Sequence, residues 1–153
     1  WGLDATSQRI SFHTETSRYS VGLVLDTSII VDAQRGKFDL DLTLTNFAHT
    51  DIFVSSITVS ELFLGIHFSR EEFKQKRLFY IDGILEELKV IDFNYELAKT
   101  HANICAKLRK EGNLIGPNDL IIAASCIHYQ HSLLTFNIKE FSRVPNLFLE
   151  SIN

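Results

Sequence analysis

The sequence predicts an α/β fold with a mostly parallel five-stranded sheet and helices on both faces. Short apolar stretches alternate along the chain with longer amphipathic stretches, which is the pattern of strands joined by crossover helices. The chain has 153 residues, of which 45% are hydrophobic. A chain of this size can bury the core of a single domain without disulfides or a structural metal.

The predicted elements follow one another in a regular order. Apolar runs predict five short strands, at 22–25, 52–54, 90–91, 133–135 and 147–149. Apolar residues at helical spacing predict helices near 28–35, from Thr58 onward, and at about 70–87, 95–111, 118–130 and 138–142. Residues 37–50 fit either a strand over 38–44 or a short amphipathic helix, and the helix is favoured.

The first twenty residues differ from the rest of the chain. They hold seven Ser or Thr and show little apolar periodicity, so we expect residues 1–20 to be an N-terminal extension or leader and residues 21–153 to be the folded domain. They contain no apolar signal-peptide core, and no apolar run in the chain approaches the roughly 18 residues of a membrane span.

The net charge and the two cysteines indicate how the protein can bind nucleic acid and in which compartment it lies. The formal net charge of −4 gives no overall positive field to attract nucleic acid, so any contact with nucleic acid has to be local. Cys105 and Cys126 lie among apolar and small residues in predicted helices, with no second cysteine at metal-binding spacing. We expect both to be reduced core residues, which favours a cytoplasmic protein.

Four polar residues stand where predicted helices begin, and each has an ordinary structural explanation. Asp26 follows the first strand and Asn137 follows the fourth, so either can be an N-cap. Thr58 and Glu61 match the capping-box pattern. Asp119 lies in a first helical turn, where a carboxylate favours the helix dipole. Right-handed crossovers in a parallel sheet bring all four to one edge.

Capping does not explain why three carboxylates should meet at that edge. Like charges in one cleft raise each other's pKa and cost stability unless a cation neutralises them. Carboxylate and amide oxygens, with no Cys or His among them, suit Mg²⁺ or Mn²⁺ rather than zinc. A metal in such a site lowers the pKa of a bound water and stabilises a charged transition state, which is the chemistry of phosphodiester hydrolysis.

Four segments in order resemble the PIN domain and, within that group, the VapC-type toxins of bacterial toxin–antitoxin pairs. They are residues 23–28 (LVLDTS), 54–62 (VSSITVSEL), 119–124 (DLIIAA) and 134–141 (LTFNIKEF). The resemblance covers the chain from about Val21 to Asn153. It implies a PIN-like three-layer α/β/α fold and a Mg²⁺-dependent endoribonuclease that cleaves structured RNA.

The resemblance also implies roles for particular residues. Asp26, Glu61 and Asp119 would hold Mg²⁺ or Mn²⁺, and Asn137 would assist from the place where many PIN domains have a fourth acid, which leaves open whether one or two metals bind. Further hydroxyls would support the metal's waters or the scissile phosphate, although helix capping explains them equally well: Thr27, Ser28 and Thr135. The implied partners are a second copy of the chain, in a homodimer, and an antitoxin that blocks the acidic cleft.

Basic and histidine side chains supply further candidates for function. Four cations follow elements that begin or end at the proposed active edge, and they are the candidates for RNA contacts: Arg35, Lys37, Lys139 and Arg143. His128 and His131 have a spacing that could hold a metal, but their place at a helix C-terminus favours a structural role.

Two other functions compete with the nuclease. A non-catalytic PIN-like module would use the acidic cleft only to bind RNA or a basic protein segment. An aspartyl phosphotransferase or phosphatase would use Asp26 as its nucleophile, but one such class carries a second Asp two residues on, where this chain has Ser28.

Overall fold

The computed structural model describes residues 22–152, and the predicted leader therefore lies outside the described residues. The first half of the domain contains β1 (Gly22–Leu25), α1 (Thr27–Gln34), α2 (Leu40–Leu44), a 3₁₀ turn (Thr45–Phe47), β2 (Asp51–Ser55), α3 (Ser56–His67) and α4 (Glu71–Glu87). The second half contains β3 (Lys89–Ile91), α5 (Tyr95–Lys110), α6 (Pro117–Tyr129), β4 (Ser132–Leu134), α7 (Ile138–Phe141) and β5 (Leu149–Glu150).

All five strands pair in parallel, in the order β3-β2-β1-β4-β5. The predicted α/β fold with a parallel five-stranded sheet is confirmed. β1 is central, and the chain adds strands on one side of it through β2 and β3 and on the other through β4 and β5. The order reverses between β1 and β4, and in open parallel sheets ligands bind at the carboxyl ends of the strands at such a reversal.

Successive residues of β1 point to opposite faces of the sheet and enter two separate cores. Leu23 and Leu25 pack with residues of α1, α3 and α4, whereas Val24 packs with residues of α5, α6 and α7. All three side chains are fully buried. A strand covered on both faces is apolar at every position, which is why this short run was visible in the sequence.

The short helix favoured within residues 37–50 is confirmed, and side chains cap two of the helices. Residues 40–44 form the helix α2, and the side chain of Asp39 caps it by accepting a hydrogen bond from the Leu42 N–H at 3.0 Å. Asn94 caps α5 in the same way, at 2.9 Å from the Leu97 N–H. None of the helices formed by residues 22–152 combines the length and the apolar character that a membrane span requires.

Candidate active site

Asp26 occupies the N-cap position of α1, yet its side chain makes no capping hydrogen bond. Asp26 is 5% exposed, and its Oδ2 accepts hydrogen bonds from the Ser28 and Thr135 hydroxyls, each at 2.7 Å. The parallel pairing of β1 with β4 brings Thr135 there, because the Asp26 N–H donates to the Leu134 carbonyl at 3.0 Å. Oδ1 accepts no side-chain hydrogen bond from the described residues.

The two hydroxyls that hold Asp26 are themselves held by the loop between β4 and α7. The Phe136 N–H donates to Ser28 Oγ at 3.3 Å, and the Asn137 N–H donates to Thr135 Oγ1 at 2.9 Å. Each hydroxyl therefore accepts from the backbone and donates to the carboxylate, an arrangement in which neighbouring hydrogen bonds strengthen one another. The loop fixes the orientation of the Asp26 carboxylate.

Glu61 projects from the second turn of α3, and both of its oxygens have partners. Oε1 accepts from Thr27 Oγ1 at 2.8 Å, and Oε2 accepts from Asn118 Nδ2 at 3.3 Å. The Thr27 hydroxyl also lies 3.2 Å from Thr58 Oγ1, which is fully buried. Thr27, at the start of α1, thus links Glu61 to the neighbourhood of Asp26.

The capping-box interpretation of Thr58 and Glu61 is wrong. Strand β2 continues to Ser55, and α3 begins directly after it, two residues earlier than predicted. The N-cap is Ser55, whose Oγ accepts from the Ile57 N–H at 3.4 Å. Thr58 and Glu61 are inside the helix, so capping does not account for the position of Glu61.

Asp119, Asn137 and Glu140 form a second connected group. Asn137 occupies the N-cap position of α7 but makes no capping hydrogen bond; its Nδ2 donates instead to Asp119 Oδ2 at 3.4 Å and to Glu140 Oε2 at 3.3 Å. The Gly116 N–H donates to Glu140 Oε1 at 2.9 Å. A Cβ at Gly116 would lie 3.7 Å from both Asp119 Oδ2 and Glu140 Oε1, so the backbone passes close to both carboxylates.

Asp119 shows the electrostatic cost of this arrangement. Burial, followed by the negative charges of Asp26, Glu140 and Glu61, raises the pKa of Asp119 from 3.8 to about 6. The hydrogen bond from Gly116 and then that from Asn137 lower the pKa of Glu140, and the charge of Arg143 acts in the same direction. The charges of three neighbouring carboxylates therefore act on Asp119.

Glu140 and Asn118 contact the site although the sequence analysis did not select them. Glu140 lies in the segment 134–141 and follows Asn137 by three residues, a spacing that places two side chains on one face of a helix. That spacing is the sequence signal by which Glu140 could have been selected as a site residue. Asn118, next to Asp119 in the first turn of α6, offered no signal of its own.

The candidate ligand set is made of carboxylate and amide oxygens, which fits a hard divalent cation such as Mg²⁺. Within residues 22–152, no three Asp, Glu, His or Cys side chains already form a complete metal-binding group. This does not conflict with Mg²⁺, which keeps several waters and uses only one or two carboxylates directly. The raised pKa of Asp119 independently indicates negative charge that a cation would neutralise.

The predicted RNA-contact residues lie in different surroundings. Arg35 lines a cavity of about 170 Å³ together with Glu61 and Arg77, and the charge of Arg143 acts on Glu140. Lys139 is exposed on α7. Lys37 forms an exposed ion pair with Asp32 at 2.8 Å.

The His128 and His131 pair has structural partners. His128 Nδ1 is 2.8 Å from Thr100 Oγ1, and the His131 ring stacks on Phe53 with centroids 4.4 Å apart. His131 directly precedes β4, at the amino edge of the sheet and so opposite the carboxylates. Cys126 is a buried free thiol as predicted, whereas the free thiol of Cys105 is only partly buried.

The parallel sheet carries several acidic side chains at the carboxyl ends of its strands. This arrangement defines a class of α/β domains with an acidic site. The sequence model of the PIN domain matches residues 23–147. The chain belongs to the PIN domain family, and within it to the VapC ribonucleases.

Three relatives place it there. Ribonuclease VapC of Rickettsia bellii is 35% identical over 128 residues, which are 83% of this chain and 93% of that protein. The tRNA(fMet)-specific endonuclease VapC of Salmonella typhimurium is 28% identical over 83% of this chain and 95% of its own. The crystal structure of VapBC2 from Rickettsia felis, bound to a DNA fragment from its promoter, contains a chain with a TM-score of 0.79 and 34% identity; the match covers 86% of this chain and 98% of that one.

Proposed function

We propose that this protein is a divalent-metal-dependent endoribonuclease and the toxin of a VapBC-type toxin–antitoxin pair. One observation carries the proposal. Asp26 and Asn137 occupy helix N-cap positions and Glu61 was expected in a capping box, yet none of the three side chains caps a helix. Instead, Asn137 donates to Asp119 and Glu140, and the charges of Asp26 and Glu61 raise the pKa of Asp119. This arrangement has a cost in charge repulsion that helix capping does not explain.

The metal would be held by Asp26, Glu61 and Asp119, with Asn137 and Glu140 beside them, and Mg²⁺ is the first ion to test, followed by Mn²⁺. When bound, the ion supplies activation of a water and neutralisation of charge at the scissile phosphate. The chain's own residues orient the ligands. Ser28 and Thr135 hold Oδ2 of Asp26, and Thr27 and Asn118 hold Glu61.

The substrate we propose is structured RNA, and transfer RNA is the first to test because the Salmonella typhimurium relative is named for tRNA(fMet). Arg35, Lys139 and Arg143 are proposed contacts to the RNA backbone. Lys37 is a weaker candidate, because Asp32 already pairs with it. An aspartyl phosphotransferase is disfavoured, because Asp26 is buried and its Oδ2 is engaged by two hydroxyls.

Two protein partners are part of the proposal. Relatives of known structure are VapBC complexes, which supports an antitoxin partner here. An open apolar groove of about 940 Å³ between α2 and α4 would give such a partner a surface to bury. A homodimer is the second proposed assembly, and exposed apolar side chains at the end of α3, Leu64 and Phe68, are available for it.

The function is tested by incubating the purified protein with bulk transfer RNA and total RNA in Mg²⁺, in Mn²⁺ or in EDTA. Asp26→Asn and Asp119→Asn are compared with Asp82→Asn, which removes an exposed carboxylate of α4. We expect cleavage by the wild type and by the Asp82 variant in metal only. Cleavage that persists in EDTA or in the two site variants would contradict the mechanism. RNA binding without cleavage under every condition would favour the non-catalytic module.

A further inference from the structure

Phe136 lies between two residues of the site and is anchored to it through its backbone. It directly follows Thr135, which donates to Asp26, and directly precedes Asn137, which donates to Asp119 and Glu140. Its own N–H donates to Ser28 Oγ at 3.3 Å. The backbone of Phe136 is therefore held by the same hydroxyl that holds the Asp26 carboxylate.

The Phe136 ring contacts one aromatic neighbour and remains partly exposed. It meets Phe38 edge to face, with ring centroids 5.5 Å apart and an interplanar angle of 83°. Phe38 is partly buried and packs against the core formed by α1, α3 and α4. Phe136 itself remains 46% exposed. Phe38 thus supports the ring and limits its rotation, while much of the ring surface faces solvent.

The exposure of an aromatic ring beside four carboxylates indicates that the ring has a function other than packing. The described residues leave Phe136 46% exposed, although it closely follows the fully buried strand β4. Unpaired bases of RNA stack on aromatic side chains, and this stacking accepts any base because every base has a π-face. Stacking also requires no positive charge, which suits a cleft whose own charge repels the RNA backbone until a cation is bound.

We propose that Phe136, supported by Phe38, is a stacking platform for an unpaired nucleobase next to the scissile phosphate. This inference rests on the proposed ribonuclease activity and adds a specificity element to it. Phe136 holds the base, and the adjacent carboxylates face the phosphate of the same or the neighbouring nucleotide. The arrangement selects RNA whose base at the cut is already unstacked, such as a loop.

The test compares Phe136→Leu and Phe136→Trp with Phe148→Leu. Phe148 is 66% exposed and directly precedes β5, so it lies at the opposite edge of the sheet and is a matched control. Binding is measured in Ca²⁺ with a short single-stranded RNA that contains 2-aminopurine, whose fluorescence falls on stacking. We expect Phe136→Leu to weaken binding about tenfold and to abolish the fluorescence change, because base stacking contributes about that much. The Trp variant and the Phe148 variant should behave like the wild type.

Cleavage of transfer RNA supplies a second, independent readout. We expect Phe136→Leu to lower kcat/KM about tenfold, mainly through KM, at an unchanged cut site. Removing the base beside that cut from the RNA should cost the wild type as much as the substitution does, and the two losses should not add. Equal binding and equal fluorescence change for wild type and Phe136→Leu would overturn the inference. A wild type that cuts no RNA would instead refute the nuclease proposal, while the binding measurement would still decide the role of Phe136.

Discussion

Replacing Asp119 with asparagine should stabilise the metal-free protein at neutral pH while it abolishes cleavage. The pKa of Asp119 is about 6 in the folded protein against 3.8 for the free side chain. A difference of about two pKa units corresponds to about 3 kcal/mol. Asp119 is partly exposed, and solvent screening reduces this to about 1 kcal/mol. For a chain of this length the gain in melting temperature is about 3 °C.

The pH dependence of this gain follows from the direction of the shift. Because folding raises the pKa of Asp119, the folded state binds its proton more tightly than the unfolded chain does. The penalty of the charged carboxylate is complete above about pH 6, and it disappears as the pH falls towards 3.8. Asparagine carries no charge at any pH, so the gain should be complete at about pH 7.5 and reduced to about a third of that value at about pH 4.5.

The assay is urea unfolding in EDTA at these two pH values, with Asp82→Asn as the control for loss of an exposed carboxylate. A gain that is absent at neutral pH, or equal at both, would refute the argument that the carboxylates of the site repel one another.

Three further outcomes are expected. Mg²⁺ at a hundredfold excess over its Kd should stabilise the wild type by about 2.7 kcal/mol. The affinity for Mg²⁺ should increase as the pH rises through about 6, because Asp119 has to ionise before it binds the ion. Titration calorimetry at several pH values measures this affinity. Thr135→Val should cost about 1–3 kcal/mol in unfolding experiments, because a buried hydroxyl with two hydrogen bonds is lost; no loss would show that the hydroxyl is dispensable. Gly22→Ala should lower the free energy of unfolding by about 1–3 kcal/mol, because the added Cβ would lie 2.6 Å from the Phe53 ring. Gly83→Ala in α4 meets open space and should raise the free energy of unfolding by about 0.5–1 kcal/mol. Equal melting temperatures of the two variants would contradict this.

The fold could be predicted from the sequence because the strands are short, and the central strands β1 and β4 are buried on both faces. Such strands contrast clearly with the amphipathic helices between them, as β1 and α5 show. The meeting of Asp26, Glu61 and Asp119 could also be anticipated, since the carboxyl ends of parallel strands lie at one edge.

The side-chain partners could not be predicted in the same way. Glu140 joins the site because α7 turns one particular face towards Gly116, and a helix of four residues is too short to show which face that is. The pattern of Thr58 and Glu61 matched a capping box by chance, because the true helix start depends on how far β2 pairs with β3. The pairing extends to Ser55, and Ser55 is therefore the N-cap of α3.

The hydrogen bond between Asp26 and Thr135 joins positions 109 residues apart in the chain. Its closure requires β4 to insert beside β1, and Asn137 and Glu140 come later still along the chain. While the protein is being synthesised, the N-terminal part of the domain can fold before these residues leave the ribosome. A chain that is still being synthesised therefore contains Asp26 but lacks both Thr135, which donates to the Asp26 carboxylate, and Glu140. An enzyme that degrades RNA, assembled in this way, acquires its cutting site only after β4 and α7 have been synthesised.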